Sequence, residues 1–179
     1  ENLQVVFDTA ASELADAWFA EYRHKIRDLP HDRQDLYRQI VLDHSRHPRN
    51  QRRLEHADRE AEGHNPLCGD KIRVYARLAG DSLRDVAFEA SGCAICLASA
   101  SLMTEAARGR TLPEVRALAG QFENALESGG GNLAGDLAAL AGVSQYPSRI
   151  RCATLPWKTL IAALDASPDT VTTEQMSPS

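Results

Sequence analysis

The sequence predicts an α+β domain: a small antiparallel sheet of about three strands with helices packed on one side, preceded by a helical extension. Three observations predict it. Apolar residues recur at helical spacing before residue 45 and again after residue 95; they alternate strictly in between; and no repeated strand–helix–strand pattern runs through the 179 residues. The expected organisation is a helical extension over 1–33, one α+β domain over 34–164, and a tail over 165–179.

In the extension, Leu14, Trp18, Phe19, Tyr22 and Ile26 share one face of a helix over residues 8–27, which Leu29-Pro30-His31-Asp32 ends. A second helix carries Leu36, Tyr37, Ile40, Val41 and His44 in one stripe and stops before Pro48. The basic stretch 44–53 has no apolar period and reads as a solvated loop whose histidines are not ligands. Ile72, Val74, Ala76 and Leu78 then alternate with Lys71, Arg73, Tyr75 and Arg77, a strand with one wet face. Gly80-Asp81 turns the chain, and Val86, Phe88 and Ala90 complete a hairpin. After Gly92 the period becomes helical through Leu97, Ala98, Ser101 and Leu102, and Pro113 opens a further helix bearing Val115, Leu118, Ala119 and Phe122. A glycine-rich joint at 128–132 precedes a short helix over 133–143. Pro147 restarts the chain, and 156–164 reads as the last packed helix. Residues 165–179 are Ser, Thr, Pro and acid with almost no apolar content, the composition of a disordered tail.

Composition excludes several classes. Hydrophobic residues at 43 % and charged residues at 25 % describe an ordinary globular chain. A net charge of −5 and a pI near 5.7 argue against a general nucleic-acid binder, which carries a basic stripe. No apolar run reaches the ~18 residues a membrane span requires. The acidic start, with Glu1, Asp8, Glu13 and Asp16, is the wrong chemistry for a secretory or transit peptide. Four cysteines without such a leader point to a reducing compartment, the cytoplasm, where thiols serve metals or catalysis more often than disulfides.

All four cysteines lie in short motifs: Asn65-Pro66-Leu67-Cys68-Gly69-Asp70, Ser91-Gly92-Cys93-Ala94-Ile95-Cys96 and Arg151-Cys152-Ala153-Thr154-Leu155-Pro156-Trp157. In Cys68-Gly69-Asp70 the glycine lets the backbone bend so that thiolate and carboxylate reach one centre. Cys93 falls where a helix begins, and the partial positive charge there favours thiolate. Cys152 comes from a remote segment flanked by Arg149 and Arg151. Thiolates and a carboxylate can ligate a zinc-sized ion, and the site would stay net negative with a divalent metal bound. Lys71, Arg73 and Arg151 offer the offsetting charge. Cys93 to Cys96 has the spacing of a thioredoxin-type redox pair. The chain lacks the accompanying alternating pattern of strands and helices, so Cys96 reads as a spectator or auxiliary thiol.

These strings resemble one family. Leu36-Tyr37-Arg38-Gln39-Ile40-Val41-Leu42-Asp43-His44, His47-Pro48-Arg49-Asn50, the Cys68 motif, Gly92-Cys93-Ala94-Ile95 and the Cys152 motif are together similar to the IscU/NifU-N family of iron–sulfur cluster assembly proteins, over roughly Leu36 to Leu164. Two departures resemble the SufU branch: Arg151 stands where the IscU branch has a histidine, and the stretch from about Gln121 to Tyr146 looks like an inserted segment. The resemblance implies a zinc-dependent sulfurtransferase that accepts persulfide sulfur from a PLP-dependent, SufS-like cysteine desulfurase and serves a downstream iron–sulfur scaffold. It implies Cys68, Asp70, Cys93 and Cys152 as metal ligands and Cys68 as the sulfur acceptor, freed when a ligand from the desulfurase takes its place on the metal. The alternative is a scaffold on which a [2Fe–2S] cluster is assembled on the same residues, with iron in place of zinc. A purely structural zinc module that recruits partners is a third possibility.

Overall fold

The computed structural model describes residues 31–129 and 131–173. The helix expected over residues 8–27 lies outside them. Helix α1 (His31–Arg46) is followed by strands β1 (Arg59–Asn65), β2 (Asp70–Ala79) and β3 (Ser82–Ser91). Then come α2 (Ala94–Ala107), α3 (Leu112–Ser128), a 3-10 segment (Gly135–Gln145), α4 (Pro147–Leu164) and a short β4 (Val171–Thr172). The α+β class and the one-sided helical layer agree with expectation. The sheet has four strands rather than three, in the order β3-β2-β1-β4, and β4 runs parallel to β1.

The predicted hairpin is β2–β3, with Ile72 opposite Ala90, Val74 opposite Phe88 and Ala76 opposite Val86 on the helix side. The opposite face is drier than expected. Tyr75 is buried against Leu54 and Ala87, with Ala57 packed beside them, because the loop after α1 folds over the sheet's centre. The Tyr75 hydroxyl donates to Glu89 Oε2 at 2.7 Å.

Strand β1 has no hydrophobic alternation, since its inward positions are Ala61, Gly63 and Asn65. These small or polar residues are what α4 permits. A Cβ at Gly63 would stand 2.1 Å from Thr159 Oγ1, so the helix crosses β1 at glycine distance. Helix α4 also begins nine residues earlier than residue 156, at Pro147 rather than at Pro156. Pro156 lies inside it, and lacking an N–H it leaves the Cys152 carbonyl without the usual helical donor.

The tail also differs from expectation. Val171 pairs with Gly63 and Thr172 with His64, and Thr173 is fully buried. Composition misses this because the segment is held mainly by backbone pairing and a polar contact, with Val171 its one apolar side chain packed on the core. The inserted-looking stretch packs too, with Leu137, Leu140 and Val143 buried.

The core joins the sheet to α2, α3 and α4. Trp157 stacks on Phe122 with centroids 4.7 Å apart and planes at 21°, and its Nε1 donates to Ser99 Oγ at 3.2 Å. Helix α3 opens on a reciprocal capping box between Thr111 and Glu114 and closes on Gly129 at φ 67°. Buried hydroxyls on α2 anchor the end of α1: Ser101 Oγ meets His44 Nδ1 at 2.7 Å and accepts the Arg49 N–H at 2.8 Å, and Thr104 Oγ1 accepts Asn50 Nδ2 at 2.9 Å. His44 is thus a structural residue. The basic run is partly neutralised, Arg49 by Asp43 and Arg52 by Asp85. Among the described residues, no helix is long and apolar enough to cross a membrane.

Phe122→Ala is expected to destabilise the fold by about 3–5 kcal/mol through lost burial and an unfilled cavity. Thr111→Ala should cost only ~1 kcal/mol through the lost cap. Equilibrium denaturant unfolding of the two variants reads the difference.

Candidate metal centre

The site forms where the β1–β2 turn meets the N-terminus of α2 and the first two turns of α4. Asn65 and Asp70 are the last antiparallel pair of β1 and β2, so the connection is only residues 66–69. Gly69 sits at φ 71°, a left-handed conformation that glycine takes without steric penalty, and it turns Cys68 back towards Asp70. Leu67, at the tip, is 64 % exposed. The ligand atoms of Cys68, Asp70 and Cys152 all lie within 4.8 Å of one another, and the sulfurs of Cys68 and Cys152 are 3.2 Å apart. Two thiolates and a carboxylate converging in this way are a donor set that suits a zinc-sized cation, although tetrahedral thiolate bonds of about 2.3 Å would set the two sulfurs ~3.8 Å apart, so the pair opens to receive one.

Cys93 joins differently. It is the N-cap of α2, partly exposed, and its backbone N–H donates to Asp70 Oδ1 at 2.8 Å. Its thiol interacts with Cys152 and not with the whole group. Hydrogen bonding from Cys152 lowers the Cys93 pKa, outweighing burial, whereas the same contact and then burial push Cys152 up. Of this pair Cys93 is the more readily deprotonated. Cys96 is fully buried in the core, and burial, then Asp70 and the other thiols, holds its thiol well above the ordinary range. Its burial leaves it out of reach of a partner's thiol.

Asp70 has no exposed surface, and both of its oxygens are satisfied: Oδ1 by the Cys93 N–H, Oδ2 by Asn65 Nδ2 at 3.2 Å. The same Asn65 nitrogen reaches Cys152 Sγ at 3.4 Å. Gly92 is required here, since a Cβ would stand 2.5 Å from Asp70 Oδ1.

The arginine that faces the thiols is Arg149 rather than Arg151. Burial by itself would lower the Arg149 pKa, but Cys93, Cys152 and Cys68 more than reverse it. Helical geometry is the reason. Arg149 lies three residues before Cys152 and shares its face, whereas Arg151, as the preceding residue, is turned about 100° away. Reading α4 from Pro147 instead of Pro156 would have found Arg149. Asn65 stood inside the Cys68 motif without a role, and only its pairing with Asp70 shows one.

Comparison with known proteins places this geometry among relatives. The model of the NifU-like N terminal domain matches residues 36–153. The chain is 41 % identical over 128 residues to the zinc-dependent sulfurtransferase SufU of Bacillus subtilis (strain 168), covering 70 % of this chain and 86 % of that one. It is 38 % identical over 136 residues to the iron–sulfur cluster assembly scaffold protein IscU of Streptococcus pyogenes serotype M1, covering 74 % and 84 %. A crystal structure from Fervidobacterium islandicum AW-1, whose name proposes an assembly scaffold for the SUF system, superposes with a TM-score of 0.66 at 34 % identity, covering 70 % of this chain and 94 % of that one.

Gly92→Ala should displace the Asp70 carboxylate and reduce zinc uptake, measured by stoichiometric titration, while circular dichroism shows the fold retained. In metal-free protein, the lowered Cys93 pKa places its thiolate at lower pH than an ordinary cysteine. As the pH is raised, iodoacetamide should therefore label Cys93 ahead of Cys152 and leave Cys96 unmodified until the chain unfolds, as peptide mass mapping would read.

Proposed function

Because the chain belongs to the NifU-like N-terminal domain family, we propose that it is a zinc-dependent sulfur acceptor that takes persulfide sulfur from a PLP-dependent cysteine desulfurase and delivers it for iron–sulfur cluster assembly. One observation carries this reading: Cys68, half-buried like Cys93, stands alone of the thiols on a tight turn, beside exposed Leu67, while Cys152 is buried. A partner's persulfide can reach Cys68 without opening the core. The SufU relative's name and Arg151 in place of a histidine support the same reading.

The ligands would be Cys68, Asp70, Cys93 and Cys152. Zinc, when bound, keeps its cysteine ligands deprotonated at neutral pH. The remaining chemistry belongs to the chain. The Cys68 thiolate attacks the outer sulfur of the desulfurase persulfide; a new sulfur–sulfur bond forms at Cys68 as the partner's bond to that sulfur breaks, and the partner's cysteine leaves as thiolate. Arg149 supplies positive charge beside the thiols throughout. Asn65 and the Cys93 N–H hold Asp70 in place, and the packing that buries Cys152 keeps water from it.

The competing reading is a scaffold that carries a [2Fe–2S] cluster as cargo, and the IscU relative's name favours it. Purified protein separates the two. A colourless preparation with one tightly held zinc is the expected result, and a brown, iron-loaded one supports the scaffold. Cys68→Ala should abolish sulfur uptake from a labelled desulfurase persulfide. Undiminished uptake excludes Cys68 as acceptor, and full desulfurase stimulation by Cys68→Ser would favour a structural zinc module.

A further inference from the structure

The end of the described chain closes over the ligand turn. β4 continues the sheet beyond β1 in parallel register, Val171 against Gly63 and Thr172 against His64. The next pair in that register is Thr173 and Asn65. Both are fully buried, and the Thr173 hydroxyl donates to Asn65 Oδ1 at 3.0 Å. The opposite end of the same amide donates to Asp70 Oδ2 at 3.2 Å and to Cys152 Sγ at 3.4 Å. One planar group therefore links β4 to two members of the ligand group. An amide buried this deeply has no water to satisfy its oxygen, so the Thr173 hydroxyl decides whether the plane stays in register with Asp70. The strand that leads to Thr173 is placed by its ladder to β1 and by Val171 against the core, and the polar contact fixes the Thr173 side chain on the amide.

We infer that residues 171–173 form a strap: the Thr173 hydroxyl locks the Asn65 amide, and through it Asp70 and Cys152, in the arrangement that receives the metal. Thr173 and Asn65 are positioning residues, not ligands. The inference rests on the reading of Cys68, Asp70 and Cys152 as ligands proposed above. It adds a segment beyond the family-matched region, which ends at residue 153.

The test uses the full chain and three single variants, Thr173→Val, Thr173→Ser and Asn65→Ala, with the double variant Asn65→Ala/Thr173→Val. Valine keeps the size of threonine and removes only the hydroxyl; serine restores it. Zinc affinity is measured by competition with a chromophoric chelator, and site geometry by the visible absorption of the cobalt(II)-loaded protein. Thr173→Val should weaken zinc by about 10–100-fold, the range for loss of a group that orients ligands, and change the cobalt spectrum. Thr173→Ser should match wild type. Adding Thr173→Val to Asn65→Ala should change nothing further, because the hydroxyl acts through the amide. Wild-type affinity in Thr173→Val, or additive losses in the double variant, would overturn the strap. If the wild-type chain takes up no zinc, the proposed metal function fails, and the strap is judged on metal-free protein. There, faster iodoacetamide labelling of Cys152 in Thr173→Val upholds it, and an unchanged rate overturns it.

Discussion

A carboxylate with no access to solvent must be surrounded by donors, and Asp70 organises this molecule around that requirement. Its two oxygens draw on different parts of the chain: the backbone at the start of α2, and the side chain of Asn65 across the β1–β2 ladder. Satisfying them fixes the orientation of α2 against the hairpin and brings the Cys93 thiol beside Cys152. Gly92 follows from the same demand, since no side chain fits between that backbone and the carboxylate. The fold and the site are thus one arrangement, in which a buried acid is tolerated because every neighbour is turned towards it.

A second polar layer does comparable work at the other end of α2. Ser99, Ser101 and Thr104 are fully buried, yet each has partners: Ser99 the Ala153 carbonyl and Trp157, Ser101 His44 and the Arg49 backbone, Thr104 Asn50. Satisfied hydroxyls on one helix register it against both α1 and α4 more specifically than apolar contact alone, because each has a defined partner and direction. Helix α4, which carries Cys152 and Arg149, is held to α2 through the Ser99 contacts and to α3 through the Phe122–Trp157 stack. Cys152 is thereby brought to Cys68 and Asp70 from a remote segment by helix packing rather than by a loop.

Much of this was legible residue by residue. The β2–β3 hairpin, the helices after Gly92 and Pro113 and the Cys68-Gly69-Asp70 turn follow from local periodicity and from glycine and proline chemistry. What misled was every element whose stability is not apolar. β1 carries Ala61, Gly63 and Asn65 inward because a helix passes at contact distance, and β4 is only two residues long, held by the ladder and by the Thr173–Asn65 contact that follows it. A hydrophobic pattern cannot announce either one. Arg151 drew attention as the neighbour of Cys152 in sequence, while Arg149 is its neighbour on the helix surface.

The amino-acid sequence by itself determined the candidate inventory: which thiols and which carboxylate sit in turns and helix starts able to present them. Only the tertiary structure decided how those groups are held. Which arginine faces the thiols, which cysteine belongs to the core, and how Asn65 and Thr173 support Asp70 depend on strand register and helix crossing. Those are set by contacts between residues far apart in the chain, and hydrogen-bond direction between such residues leaves no periodic trace in the order of the amino acids.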